Sequence, residues 1–250
     1  DPQRETAKAL YDRLKSERDQ YTDRAEKCAA MTIPSLFPKD SDNESTNYMT
    51  PNQSIGARGL NNLASKLLLA LFPPNSLFFR LSPTEQVMAQ LAEQPEQLQE
   101  IEKALEKLER RVIRYIESQQ IRVTIKEALN QLLIAGNALL FLPPAEGGAK
   151  LYRLSNYVLQ RDALGNVMQI CTKDTLALAT LPSEVQAIVV ADDAKHEATE
   201  PVDVYTHVYI DGDQYLSYQE VNEELIQGSE QSFPLNKSPW IALRMVKVDG

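Results

Sequence analysis

The sequence predicts an α+β fold, with amphipathic helices followed by a mostly antiparallel β-rich region. Two observations carry this. Up to residue 136, apolar residues recur at spacings of three and four, the period of a helix with one buried face. After residue 136 they fall in short runs bounded by Gly, Asp and Asn, the pattern of strands and turns. Helices first and strands second point to segregated layers, not to alternating βα units. The expected division is 1–136, helical, and 137–250, β-rich.

Residues 3–29 predict one helix, with Leu10, Leu14, Tyr21, Ala25 and Cys28 near one stripe. The first 27 residues carry seven acidic and seven basic side chains, as a solvated, ion-paired outer face would. Residues 32–51 form a long polar connection punctuated by Pro34, Pro38 and Pro51. Loops of that length are usually functional or ordered by a partner. Thr50 is expected to cap a helix with Pro51 at its first position, running to Phe72 and stopped by Pro73 and Pro74. Its inward side would be Ile55, Leu60, Leu63, Leu67, Leu68 and Leu71. Leu77–Leu81 reads as a short strand, and Ser82-Pro83-Thr84-Glu85 as a capping box that opens a helix.

A long helix follows over 95–118. Leu98, Ile101, Leu105, Leu108, Val112 and Tyr115 form its apolar stripe; Glu102, Glu106 and Glu109 alternate with Lys103, Lys107 and Arg110 on the wet side. Another helix spans 120–135, with Ile121, Ile125, Leu129, Leu132 and Leu133 inward and Gly136 as its C-terminal stop. NALLFLP, KLYRL, NYVLQRD and VMQICTKD then read as strands, with turns at Gly147-Gly148 and Gly165-Asn166. A short helix near 175–190 interrupts them. DVYTHVYI and QYLSYQEV flank Asp211-Gly212-Asp213, a hairpin signal. Trp240–Val248 would be the last strand.

The net charge is −9, which argues against general attraction to nucleic acid or anionic membrane. It is compatible with a protein that lets DNA slide past. The charge is uneven: residues 174–230 hold thirteen acidic side chains and one basic one, Lys195. Two cysteines far apart exclude a disulfide framework and fit a reducing compartment. No signal-peptide core is visible at the start, and the longest apolar run, Leu132–Leu142, is well short of the ~20 residues of a membrane span. These features predict a soluble, intracellularly made protein with no membrane partner. The 250 residues begin with Asp1 and stop just after a strand-like run, so a piece of a longer protein is expected.

Few residues suggest chemistry. No phosphate-cradling glycine motif is present; Gly56-Ala57-Arg58-Gly59 lies inside a helical pattern and reads as a close helix contact. Asp40, Asp42 and Glu44 start like a calcium loop, but Ser45 and Pro51 stand where Gly and Glu are required. His196 with Asp192, Asp193 and Glu197 could ligate a metal, although a solvated loop is the simpler reading. His207 alternates with Tyr205 and Tyr209; it could be a general base, but packing between cross-strand neighbours is simpler. Cys28 and Cys171 read as small core hydrophobes. Arg110, Arg111 and Arg114 cluster, followed by Arg122 and Lys126, and interleaved glutamates cancel much of their field. A charged helix surface or a subunit contact explains them better than nucleic acid. No cofactor is implied.

Five blocks carry a resemblance: TIPSLFPKDSDNESTNYMTPNQSIGARGLNNLASKLLLALFPPN (32–75), ALNQLLIAGNALLFLP (128–143), KLYRLSNYVLQRDALGNV (150–167), EPVDVYTHVYI (200–210) and SPWIALRMVKVDG (238–250). In order, they resemble the portal proteins, or head-to-tail connectors, of short-tailed double-stranded DNA bacteriophages. The resemblance implies a non-enzymatic ring, usually of twelve copies, at one capsid vertex of the virion, made in the host bacterial cytoplasm. It implies as partners the major capsid protein, the terminase large subunit that packages DNA, a tail adaptor, internal core proteins, and DNA passing through without sequence specificity. Family members are about twice as long. This chain resembles their N-terminal wing, so both divisions, 1–136 and 137–250, would be wing, with stem, clip, tunnel loop and crown beyond 250. Arg110, Arg111, Arg114, Asp40 and Asp42 are the candidate subunit-interface residues. Two other classes stay open from residues alone: a metal-dependent hydrolase using Asp192, Asp193, His196 and Glu197, and a monomeric helical adaptor.

Overall fold

The computed structural model describes residues 5–39, 42, 45–49, 51–74, 76–92, 94–144, 147–192, 197 and 200–246. Seven α-helices and nine strands are found among them: α1 (Ala7–Glu17), α2 (Asp19–Met31), α3 (Ile55–Leu71), α4 (Glu85–Gln90), α5 (Pro95–Ser118), α6 (Ile121–Ala135) and α7 (Ser183–Asp192); β1 (Asn137–Phe141), β2 (Lys150–Tyr152), β3 (Tyr157–Arg161), β4 (Val167–Ala177), β5 (Pro201–Asp211), β6 (Gln214–Val221), β7 (Glu224–Leu225), β8 (Gln231–Pro234) and β9 (Trp240–Arg244). All pairings are antiparallel. A small sheet runs β2-β1-β9; a larger one runs β3-β4-β5-β6-β7, with β8 also paired to β6. The α+β expectation therefore holds.

The larger sheet is covered on both faces over the middle of β4 and β5, and β5 is buried at Val202 and from Val204 to Val208. One face carries Ile170 and Val208, packed with α2, α3, α6 and the small sheet through Ala25, Ala29, Leu60, Ile134 and Leu139. Val204 and Val221 continue that face toward α7, whose Val185 and Val189 cover it. The opposite face presents Val158, Cys171, Tyr205 and Tyr218 to Ala7, Leu10, Tyr11 and Leu14 of α1. The first helix thus belongs to the sheet's core.

Docking of α1 is closed by polar contacts. The Ala7 N–H donates to the Glu220 carboxylate at 2.6 Å, both buried, so a strand residue satisfies an N–H at the helix's positive end. Thr6 Oγ1 accepts from the Ala9 N–H at 3.2 Å, and the Tyr11 hydroxyl donates to the Ser155 carbonyl. The Cys171 Sγ lies 3.3 Å from the Ala7 carbonyl, and burial pushes its thiol pKa far up, so it is an inert core group.

The single helix expected over 3–29 is two. Arg18 leaves helical geometry (φ −109°, ψ 9°), and its guanidinium bonds the Leu154 carbonyl and lies 5.7 Å from the Tyr157 ring centre. This break lets α1 lie on one sheet face while α2 enters the other core. Tyr21 and Cys28 consequently end up exposed, not on a buried stripe.

Helix α3 starts at Ile55, after Ser54, not at Pro51; Thr50 lies outside the described residues. Leu60 and Ala64 are its buried residues, whereas Ile55, Leu63 and Leu71 of the expected inward set are exposed. A Cβ on Gly56 would sit 2.6 Å from the Met31 carbonyl, so glycine there permits the α2–α3 contact. The strand expected over 77–81 does not form: these residues carry no regular structure and pair with no described strand. The following helix is capped by Thr84, whose Oγ1 accepts from the Val87 N–H, not by Ser82. The hairpin at Asp211–Gln214 forms as expected, with Gly212 at φ 62°. The β6–β7 turn was not foreseen: Asn222 and Glu223 both take positive φ, which Asn-Gly would have announced and Asn-Glu does not.

Two outcomes follow from these contacts. Replacing Glu220 by Ala leaves the buried Ala7 N–H unmatched and should destabilise the protein by about 1–3 kcal/mol in urea unfolding, with α1 amides losing hydrogen-exchange protection first. Burial and the facing Asp174 carboxylate push the Tyr152 phenol up to about 12. An unfolded tyrosine ionises near pH ~10, so the folded chain holds this proton more tightly. Its stability contribution should be complete below about pH 10 and erode as pH climbs toward 12, and Tyr152→Phe should flatten that alkaline loss in a pH series of unfolding curves.

Candidate subunit-contact surface

Helix α5 is 24 residues long and has two sides of different fate. Ile101, Leu105 and Val112 are half-buried, and α6 contacts the helix. Leu108 and Tyr115, on the flank of the same stripe, remain 45% and 44% exposed. Across α3, Ile55 and Leu69 are 68% and 55% exposed. Two helices that both contact α6 therefore present apolar side chains that the described residues leave uncovered.

The segment 76–84 covers part of α5. The Leu81 N–H donates to Glu109 Oε1 at 2.6 Å, and Glu109 is buried. The sequence placed Glu109 on the wet side; the returning segment is what buries it. Phe72 and Phe78 pack edge to face at 4.8 Å across the turn that brings the segment back.

Two of the candidate arginines lie beside that covering segment. Arg110 bonds Glu106 at 2.6 Å one turn earlier, an exposed pair of small energetic weight. Arg110 and Arg114 share a shallow groove of about 360 Å³ with Leu77 and Ile113. Arg111 is exposed on the flank beside Leu108 and Tyr115. Asp42 is used locally: its carboxylate accepts from the Lys39 N–H at 2.9 Å and closes a turn. Asp40 lies outside the described residues. The start of the 32–51 connection is anchored to the core by buried Phe37 and by the Gln131 amide, which donates to the Leu36 carbonyl at 2.7 Å. That anchor was not legible, because Gln131 sits in an apolar run.

Elsewhere, chemistry-bearing residues take structural roles. His207 is buried, with Nδ1 2.9 Å from the Tyr218 hydroxyl and Nε2 3.2 Å from Gln169 Oε1. It packs between cross-strand neighbours, the simpler of its two readings. Lys150 and the Tyr152 hydroxyl both bond Asp174, at 2.6 and 2.8 Å, tying the small sheet to the large one. Of the hydrolase quartet, Asp193 and His196 lie outside the described residues, as does the Asp192 side chain. Among the described residues no group of three or more His, Cys, Asp or Glu is arranged to hold a metal, and no helix is long and apolar enough to cross a membrane.

Removing the Glu109 acceptor should free residues 76–84. Glu109→Ala should destabilise by about 1–3 kcal/mol and raise amide exchange at Leu81, while Glu109→Gln, which keeps a carbonyl acceptor, should cost less.

A family model described as "Bacteriophage head to tail connecting protein" matches residues 4–250. The chain is 53% identical over 250 residues to the portal protein of Enterobacteria phage T3 and 50% identical to that of Escherichia phage T7, covering 98% of this chain and 46% of each relative. It is 29% identical over 243 residues to the portal protein of Enterobacteria phage SP6, covering 96% of this chain and 47% of that protein. The chain spans about half the length of these relatives.

Proposed function

The chain belongs to the bacteriophage head to tail connecting protein family, and on that premise we propose that it is the N-terminal wing of a portal protein. The portal would be a ring at one vertex of the virion capsid, through which DNA is packaged, to which the tail attaches, and from which the genome leaves. The observation that carries this reading is identity of half or more to two portal proteins along nearly the whole chain.

The physical features agree with the reading. Copies that fit face to opposite face close into a ring, and such faces need apolar side chains with matched charge at their margins. The uncovered flanks of α3 and α5, with Arg110, Arg111 and Arg114 beside them, meet that description. Asp40 and Asp42 would join the contact from the 32–51 connection. An acidic surface turned toward DNA would repel phosphate and let it pass.

The proposed partners are copies of this chain in a ring, twelve on the resemblance, together with the major capsid protein, the terminase large subunit, a tail adaptor, internal core proteins and double-stranded DNA. No catalytic step is proposed, and synthesis would be in the host cytoplasm.

Electron microscopy of the full-length protein tests this directly. Rings with an axial hole are expected; a monodisperse monomer at assembly concentrations contradicts the reading. Reversing Arg110 and Arg111 to Glu together should raise the concentration of half-assembly about tenfold. Unchanged assembly would remove both arginines from the contact.

A further inference from the structure

We propose that the outer flank of α5 docks into a groove on the large sheet of a second copy of this chain, with Arg111 meeting Glu230. This rests on the ring reading and names the partner surface within it. The groove lies on the sheet face that α1 covers only in part. Its floor is Tyr209, Leu216 and Tyr218, its walls are Leu225 and Glu230, and Glu220 closes it beside the start of α1. Its volume is about 650 Å³, room for several side chains.

The two surfaces match in three respects. Leu108, Arg111 and Tyr115 stand at i, i+3 and i+7, which puts them on one helical face about 10 Å long. Leu108 and Tyr115 are nearly half exposed, and Leu225 is equally so at 45%. The cationic member of the flank, Arg111, meets a groove that offers the exposed Glu230 carboxylate and the half-buried Tyr209 ring, which suit a guanidinium by charge and by stacking. The charge distribution agrees: the groove lies mostly within the strongly acidic stretch 174–230, whereas Arg110 to Lys126 carries five basic side chains and one acidic one. Helix flank and groove are different surfaces of the chain, so the contact is heterologous and propagates around a ring.

The test uses the full-length protein with Cys28 changed to Ser, because that thiol is exposed and would form its own cross-links. Tyr115→Cys and Leu225→Cys placed in one chain should yield, on oxidation of assembled rings, a ladder of disulfide-linked multimers up to the ring. Each single variant should give no ladder. Arg111→Glu alone, or Glu230→Arg alone, should raise the concentration of half-assembly about tenfold, and the two together should restore it, a rescue that misfolding cannot imitate. Rings that form without a ladder, or a charge swap without rescue, overturn this contact and leave the ring reading standing. Absence of rings from the unaltered full-length protein overturns the ring reading and this contact with it.

Discussion

The carboxylate of Glu220 accepting the Ala7 N–H joins residues 213 apart in sequence, and much of the architecture depends on it. It fixes the N-terminus of α1 against the large sheet, and the helix then covers Val158, Cys171, Tyr205 and Tyr218. Without α1 that face would be an open apolar surface, and β4 and β5 would have one buried side instead of two. The bend at Arg18 is the necessary companion. It redirects the chain so that α2 fills the opposite core, and its guanidinium satisfies a carbonyl of the β2–β3 connection on the way. The two halves of the sequence are therefore one packed body.

Having used its sheet in this way, the chain has little left to cover its other helices. α6 contacts α2, α3, α5 and the small sheet, and among the described residues one side of α3 and one of α5 stay exposed. Their outer apolar residues are left uncovered by the described chain. A solitary protein with such flanks would tend to aggregate, whereas a protein built into a ring would bury them against its neighbours. The paired charges along α5, such as Arg110 with Glu106, keep the rim soluble without a strong net field.

The sequence made some layers legible and not others. Period gave α5 and α6 nearly to the residue, because an uninterrupted 3.6-residue repeat and the left-handed Gly136 mark them unambiguously. Strands β1 to β6 were legible from apolar runs closed by turns. The break at Arg18, the late start of α3 and the placement of Glu109 were not, because each depends on a contact with residues far away in sequence. β7 and β8 are too short and too polar to show a period. For the contact surface, the sequence pointed to the arginines of α5 but not to the groove. The groove's lining comes from four strands and the turns between them, and only folding brings it together.

In the proposed ring, neighbouring copies cover the flanks of α3 and α5 that this chain's own fold leaves bare. Hydrogen exchange on the full-length protein, assembled and then dissociated, reads this most directly. Amides of α5 and of the outer side of α3 should be strongly protected in the assembly and lose protection on dissociation, while β4 and β5 stay protected in both. Equal exchange of α5 in the two states would contradict it.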